Sequence, residues 1–297
     1  MPSTAAAAAT NPDADTRRAA YERDGYLLLG SFLSADWVAR LEAAAAAFVE
    51  ESRRADRPGD HLDAEPGHQA DNPRLRRLIG PVDLDPTFRE LALEGPIARL
   101  AVELLGGPVR FHHSKLNYKW SEGGEEIKWH QDIQFWPHSD FSPLTIGVYL
   151  TDVDDEMGPM GVVPGSHRGE LFDLTDTDGR WTGSLRDADL PRAGLDRAHY
   201  LTGPAGSVTV HNCCAVHGSM PNNSPRMRPL LLQTYSRADS YPLLGVGTNG
   251  RTGKLSGTVI GGPAPRTITV DGRPMVAAPD WSKGGYHTIF DVQQQAD

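Results

Sequence analysis

The sequence predicts a mainly β fold with flanking helices, a single antiparallel core with its helices gathered near the start. Three observations carry this reading. Helical spacing of apolar residues is confined to the first hundred or so positions. After Pro108 the period changes to two. Short apolar runs then alternate with turn residues, drawn from 31 Gly and 23 Pro in 297 residues. No internal repeat and no second compositional block divides the chain. One domain over 14–297 is therefore expected, after a disordered tail over 1–13, helical to about 106, with its β core over 109–236 and an irregular C-terminal part.

The elements follow in order. Residues 15–24 read as a helix and 26–29, Tyr-Leu-Leu-Leu, as a strand. Ser34 is placed to cap a long helix through Ser52, with Trp37, Leu41, Phe48 and Val49 at helical spacing. The charged, Pro- and Gly-containing stretch 53–72 reads as a surface loop. A single helix is expected over 87–105, ended by Gly106-Gly107-Pro108. Strands are expected at 109–119, 126–135, 144–151, 161–163, 207–211 and 230–236, and nothing in 241–297 fixes its elements.

Composition narrows the function. Twenty-nine basic against 39 acidic residues leave a net charge of −10, which opposes binding to nucleic acid or anionic membrane. No window reaches the run of about 20 apolar residues that a membrane helix needs. Residues 1–10 lack the basic start and long apolar run of a secretory signal. Cys213 and Cys214 are neighbours and cannot staple distant segments, which points to a reducing cytoplasm and to metal ligands other than thiolates.

The chemistry concentrates in 126–135. There Ile127, Trp129, Ile133 and Phe135 alternate with Lys128, His130, Asp132 and Gln134, while Gln131 breaks the apolar side. In a strand His130 and Asp132 share a face and can grip one ion. His-x-Asp is a weak signal alone. It recurs at His61–Asp63, in a polar loop, and at His138–Asp140, between Pro137 and Pro143. Two histidines and a carboxylate on one face of an octahedron, with open positions opposite, form the site of non-haem Fe(II) oxygenases. Downstream, His217 precedes Gly218, where backbone can approach a ligand. Arg228 follows eleven residues later, and its guanidinium matches a carboxylate.

Several pieces then agree in order over roughly 20–236: Arg23-Asp24-Gly25-Tyr26, Trp129-His130-Gln131-Asp132, Gly158-Pro159 leading to Val163-Pro164-Gly165-Ser166-His167, Gly203-Pro204-Ala205-Gly206-Ser207, His217-Gly218-Ser219 and Arg228-Pro229. In these the chain resembles the phytanoyl-CoA dioxygenase family of Fe(II)/2-oxoglutarate-dependent oxygenases. It is nearest to the small-molecule hydroxylases of that family, those resembling ectoine hydroxylase, proline 4-hydroxylase and phosphonate dioxygenases. The resemblance implies a double-stranded β-helix, a cupin-like jelly roll. It implies His130, Asp132 and His217 as the catalytic iron ligands, Arg228 as the clamp on the far carboxylate of 2-oxoglutarate, and Asn117, Thr145 and Ser219 as further co-substrate contacts. The implied reaction consumes O2 and 2-oxoglutarate, releases succinate and CO2, and oxidises a C–H bond of a small molecule. The carboxylate at Asp132 favours oxygen transfer over halogenation, whose enzymes carry a small residue there.

By position, His113, Lys115, Gln134, Trp136 and His211 are the substrate-facing candidates, and Lys115 with the two histidines suits an anionic or hydrogen-bonding substrate. Trp136 reads equally as a core or rim aromatic, and Lys115 and Lys119 equally as solvated strand-edge lysines. Besides hydroxylation, the same cofactor chemistry can desaturate, epimerise, cyclise or cleave. A zinc hydrolase shares the ligand set, and a non-catalytic jelly-roll binding protein is a further alternative. The expected state is a monomer or homodimer, with no nucleic-acid or membrane partner.

Overall fold

Residues 11–54, 61–121, 125–243, 253–270, 272–277 and 288–294 are described by the structure, a computed structural model. Of the expected N-terminal tail only 11–13 fall among them, and Asp13 is already a helix cap, its carboxylate accepting from the Thr16 N–H at 2.8 Å. Helix α1 (Ala14–Asp24) leads into strand β1 (Tyr26–Leu29). Ser34 caps α2 (Ala35–Ser52) as its sequence predicts. The stretch read as a surface loop instead contains β2 (Leu62–Ala64), which pairs with β3 (Leu75–Ile79). Within it, 55–60 lies outside the described residues. The short α3 (Pro81–Leu84) follows.

The single helix expected over 87–105 is two, α4 (Pro86–Leu93) and α5 (Pro96–Leu105). Pro96 has no N–H to continue α4 and sits in the first turn of α5, where none is needed. Gly106 then adopts φ 71° and closes α5 by donating to the Val102 and Glu103 carbonyls.

The strands beyond are β4 (Val109–Asn117), β5 (Ile127–His130), β6 (Leu144–Tyr149), β7 (Met160–Val162), β8 (His199–Leu201), β9 (Val208–Asn212), β10 (His217–Ser219) and β11 (Leu230–Arg237). The C-terminal part adds β12 (Val259–Ile260), a hairpin of β13 (Thr267–Val270) and β14 (Arg273–Val276), and α6 (Ile289–Gln294). The major sheet runs β1-β9-β6-β11-β4-β3-β2, with β12 against the start of β4. The minor sheet runs β5-β10-β7-β8. From β4 to β11 the chain passes back and forth between the two antiparallel sheets, which makes the fold a jelly roll.

Helices α2, α4 and α5 cover the outer face of the major sheet. Phe88, Leu91 and Ile97 pack there with Leu116, Ile146, Val148, Val210 and Leu231, all fully buried. Each contributes roughly 1.5–3 kcal/mol by leaving water. Residues alternating with these face inward. Cross-strand register puts four of them in one row, His211 opposite Thr145, Thr145 opposite Thr234, and Thr234 opposite His113. A bulge in β4 leaves His112 as the extra residue, since Thr234 pairs with His113 but Tyr235 with Phe111.

The alternating stretch 126–135 is strand only to His130. Asp132–Gln134 is a turn of 3-10 helix. Ile133 N–H donates to the Cys213 carbonyl at 2.9 Å and Phe135 N–H to Asp132, so the chain turns away from the sheet after Gln131. The turn exposes Phe135 and keeps Ile133 buried against Cys213 and Cys214.

Candidate metal centre and co-substrate pocket

The minor sheet pairs His217 of β10 directly with His130 of β5, and their rings lie 4.2 Å apart. The 3-10 turn swings Asp132 to the same place. His130 Nε2 and His217 Nε2 stand 3.6 and 3.8 Å from Asp132 Oδ1. One potential ligand atom from each of the three lies within 4.8 Å of the others. Both imidazoles are oriented alike, Nδ1 of His130 donating to the Lys128 carbonyl and Nδ1 of His217 to that of Ala215, at 2.8 and 3.0 Å. That fixes the tautomer and turns each Nε2 lone pair toward the carboxylate. Burial, and then His130 and His211, hold His217 well below the usual imidazole range, so it is neutral and ready to ligate. Burial pushes the Asp132 carboxyl up, but His217, His130 and His211 together draw it well below its ordinary value. Two lone pairs facing a buried carboxylate fit a divalent cation, and three ligands leave positions open for other groups.

Two residues brace this centre in ways their sequence context does not reveal. His211, expected at the substrate, reaches Asp132 Oδ2 with Nε2 at 3.2 Å and stacks near His217, ring centroids 4.2 Å apart. Gln131, the odd polar residue on the apolar side, is fully buried. Its amide donates to the Cys214 and Glu170 carbonyls at 2.7 and 3.0 Å and accepts from the Phe172 N–H at 2.9 Å. Gln131→Leu keeps the volume but strands these three groups, so it is expected to lower unfolding stability by about 3 kcal/mol or more, at about 1–3 kcal/mol per buried orphan. A urea titration measures this, and a parent-like midpoint with unchanged slope would contradict it.

On the far side of β10 stands Arg228, 3% exposed. Its Nη1 donates to the Gly158 carbonyl at 2.9 Å, while its buried Nε has no partner among the described residues. Ser219 lies two residues beyond His217, and its Oγ is 2.8 Å from Lys119 Nζ. Lys119 is buried, not a solvated edge lysine. Burial and the neighbouring Arg228 push its ammonium down to about 7, with Glu126 opposing. Asn117, at the end of β4, has a buried Oδ1 without a partner among the described residues. Thr145 Oγ1 lies 3.0 Å from Thr234 Oγ1 within the inner row.

The remaining candidates surround the inner face of β4. Lys115 sets its ammonium over the Trp136 ring, 5.4 Å from the centroid, with no hydrogen-bond or ion-pair partner among the described residues. Burial lowers its pKa, and the charge of Asp132 opposes this. His113 packs on Trp136 at 4.8 Å and shares a 2.7 Å Nδ1–Nδ1 bond with His112. Burial pushes His112 down to about 4 and holds His113 well below its ordinary range, so both are neutral. Trp136 Nε1 is buried and unpaired among the described residues. Gln134 spends its amide N–H on the Phe172 carbonyl.

Comparison with known proteins agrees with this architecture. The phytanoyl-CoA dioxygenase (PhyH) family model matches residues 21–230. A probable alpha-ketoglutarate-dependent hypophosphite dioxygenase of Stutzerimonas stutzeri is 37% identical over 182 residues, 59% of this chain and 62% of that relative. The L-proline trans-4-hydroxylase of Streptomyces griseoviridis is 34% identical over 240 residues, 75% of this chain and 86% of the relative. The crystal structure of EctD from S. alaskensis with 2-oxoglutarate and 5-hydroxyectoine superposes with a TM-score of 0.63 at 29% identity, over 75% of this chain and 76% of that one.

A jelly roll that brings two imidazoles and a carboxylate together inside one mouth, in this company, defines a dioxygenase that uses Fe(II), 2-oxoglutarate and O2. The chain belongs to the phytanoyl-CoA dioxygenase family. Among the described residues no helix is long and apolar enough to cross a membrane.

Proposed function

We propose that His130, Asp132 and His217 hold the Fe(II), that Arg228, Ser219, Asn117 and Thr145 receive 2-oxoglutarate, and that the enzyme hydroxylates an unactivated C–H bond of a small metabolite bearing an anionic group. The bound iron supplies the activation of O2, coupled to conversion of 2-oxoglutarate into succinate and CO2. The chain's part is positioning. Backbone carbonyls fix the two imidazoles, His211 orients the carboxylate, and the surrounding strands exclude bulk water.

One observation carries the substrate reading: the Lys115 ammonium has the Trp136 ring beneath it and makes no hydrogen bond or ion pair among the described residues. Lys115 is half-buried and only the charge of Asp132 acts to favour its ammonium, so a ligand carboxylate or phosphorus oxyanion beside it would be stabilised. The unpaired Trp136 indole N–H offers a donor to the same ligand. Hypophosphite and proline, named for two relatives, are likewise small and polar. The protein is proposed to work in the cytoplasm, where its two buried thiols stay reduced.

The test is a screen for substrate-dependent succinate formation across small carboxylates, phosphonates and phosphinates, each beside its neutral ester or amide. Turnover is expected from the anions alone. With the best of them, Lys115→Met should raise KM about tenfold or more, the scale of a lost charge-assisted hydrogen bond, while leaving Fe(II) and 2-oxoglutarate affinities in place. Equal use of the neutral analogues would remove the anionic subsite. Turnover with zinc, without O2 or 2-oxoglutarate, would replace the oxygenase reading by hydrolysis.

A further inference from the structure

The thiols of Cys213 and Cys214 take no part in the proposed chemistry, yet their backbone supports its centre. Both residues lie between β9 and β10, both are buried and reduced, and their sulfur atoms stand 3.8 Å apart. The Cys213 carbonyl accepts from the Ile133 N–H at 2.9 Å, and the Cys214 carbonyl accepts from the Gln131 side-chain amide at 2.7 Å. Ile133 also packs with both cysteines. The residues on either side of Asp132 are therefore held by these two carbonyls. The next carbonyl along, that of Ala215, fixes His217 Nδ1 at 3.0 Å.

Joining the two sulfurs disturbs that arrangement. Neighbouring Cα atoms stand about 3.8 Å apart across a trans peptide, short of the roughly 4.4–6.8 Å that disulfides ordinarily span. The ring closes across a single peptide, and the Cys213 carbonyl belongs to that peptide. Drawing the sulfurs together to a bond of about 2.05 Å therefore turns the group that holds Ile133. A disulfide outside ordinary geometry is also readily reduced, so the change reverses. Disulfides in a reducing compartment are characteristically transient in this way.

We infer that Cys213 and Cys214 are a modification site, closed by hydrogen peroxide into a reversible disulfide that tilts the turn bearing Asp132 and lowers Fe(II) affinity. Peroxide is scarcely larger than water, so a local opening of the segment lets it in. The Cys214 sulfur attacks one peroxide oxygen as the O–O bond breaks, giving a sulfenic acid and, with the thiol's proton, one water. The Cys213 sulfur then forms the S–S bond, and the sulfenic hydroxyl leaves with the Cys213 proton as a second water. The two thiols lose two electrons, and the peroxide gains them. The order follows the local hydrogen bonding. Burial and the bond to Cys214 push the Cys213 thiol well up, whereas that bond draws the Cys214 thiol down against its burial. The consequence for iron rests on the proposal that Asp132 is a ligand; the disulfide itself does not.

The full chain, free of metal, is treated with excess hydrogen peroxide, freed of it, and divided between thiol counting by alkylation with mass spectrometry and anaerobic Fe(II) titration by calorimetry. The treated chain is expected to lose two hydrogens and both alkylatable thiols, and dithiothreitol should restore them. Fe(II) affinity should fall about 10–100-fold, the scale of a lost support behind a metal ligand, and return on reduction. Cys214→Ala keeps every backbone carbonyl and should hold its Fe(II) affinity through the same treatment. Cys213→Ala serves if that variant does not fold. Two thiols that survive peroxide, or that gain oxygen without forming the S–S bond, overturn the inference. A disulfide that leaves Fe(II) affinity at the parent value overturns its coupling to the turn. If Asp132→Ala binds Fe(II) like the parent, the ligand assignment fails and the effect on iron falls with it, while the thiol count still decides the disulfide.

Discussion

Asp132→Ala abolishes substrate oxidation and weakens Fe(II) binding by more than the roughly 10–100-fold that loss of an outer-shell partner costs; this is the expected result with the larger effect. Three imidazoles converge on this carboxylate, His130 and His217 at 3.6 and 3.8 Å from Oδ1 and His211 at 3.2 Å from Oδ2. Without it two imidazole nitrogens remain, and the carboxylate proposed to face the metal's charge is gone. His211→Phe is the informative companion. It leaves the three proposed ligands in place and removes only the hydrogen bond that orients one of them, so metal affinity should fall about 10–100-fold and activity should return at high Fe(II). Metal affinity measured without oxygen, and succinate formation measured with it, separate the two variants. An Asp132→Ala protein that binds Fe(II) like the parent would take the carboxylate out of the metal site.

How much of this was legible in the sequence depends on the range of the interactions involved. Ser34 and the Gly106 stop are local signals, and both stand where their side chains or φ demand. The Gly95-Pro96 pair was equally local, and it breaks the helix that apolar spacing alone makes continuous. β3 hid because two arginines separate Leu75 from Leu78, a spacing that mimics a helix rather than an alternating strand. The 3-10 turn at Asp132 could not be read locally. It is imposed by the Cys213 carbonyl, some eighty positions away, and by a glutamine whose three bonds reach Glu170, Phe172 and Cys214.

The site divides in the same way. His130, Asp132, His217 and Arg228 stood out because the chemistry restricts residue types and the order of the motifs restricts their places. His211 meets Asp132 as well as lying among the substrate-facing candidates. Its strand was evident, but its approach to Asp132 needs the two sheets to face each other, which no periodicity encodes. Lys119 read as a strand-edge lysine because its acceptors, Ser219 and Met220, lie a hundred residues on.

Arg228→Ala should raise the Kd for 2-oxoglutarate by about 30-fold to several thousand-fold, equivalent to the roughly 2–5 kcal/mol lost when one partner of a buried charge pair is truncated. Arg228 is 3% exposed, and among the described residues its Nε is unpaired and its guanidinium meets a single carbonyl, which leaves most of its donor capacity for the proposed ligand. Fe(II) affinity should not follow, because Arg228 makes none of the contacts that orient His130, Asp132 or His217. Arg228→Lys should recover only part of the loss, since an ammonium cannot form the paired, parallel bonds that a fork offers a carboxylate. A 2-oxo acid without the distal carboxylate provides the cross-check. The parent should bind it weakly, and Arg228→Ala should bind it no worse than the parent does. If the truncated acid loses as much affinity on Arg228→Ala as 2-oxoglutarate does, the arginine supports the pocket's structure and does not grip the far carboxylate.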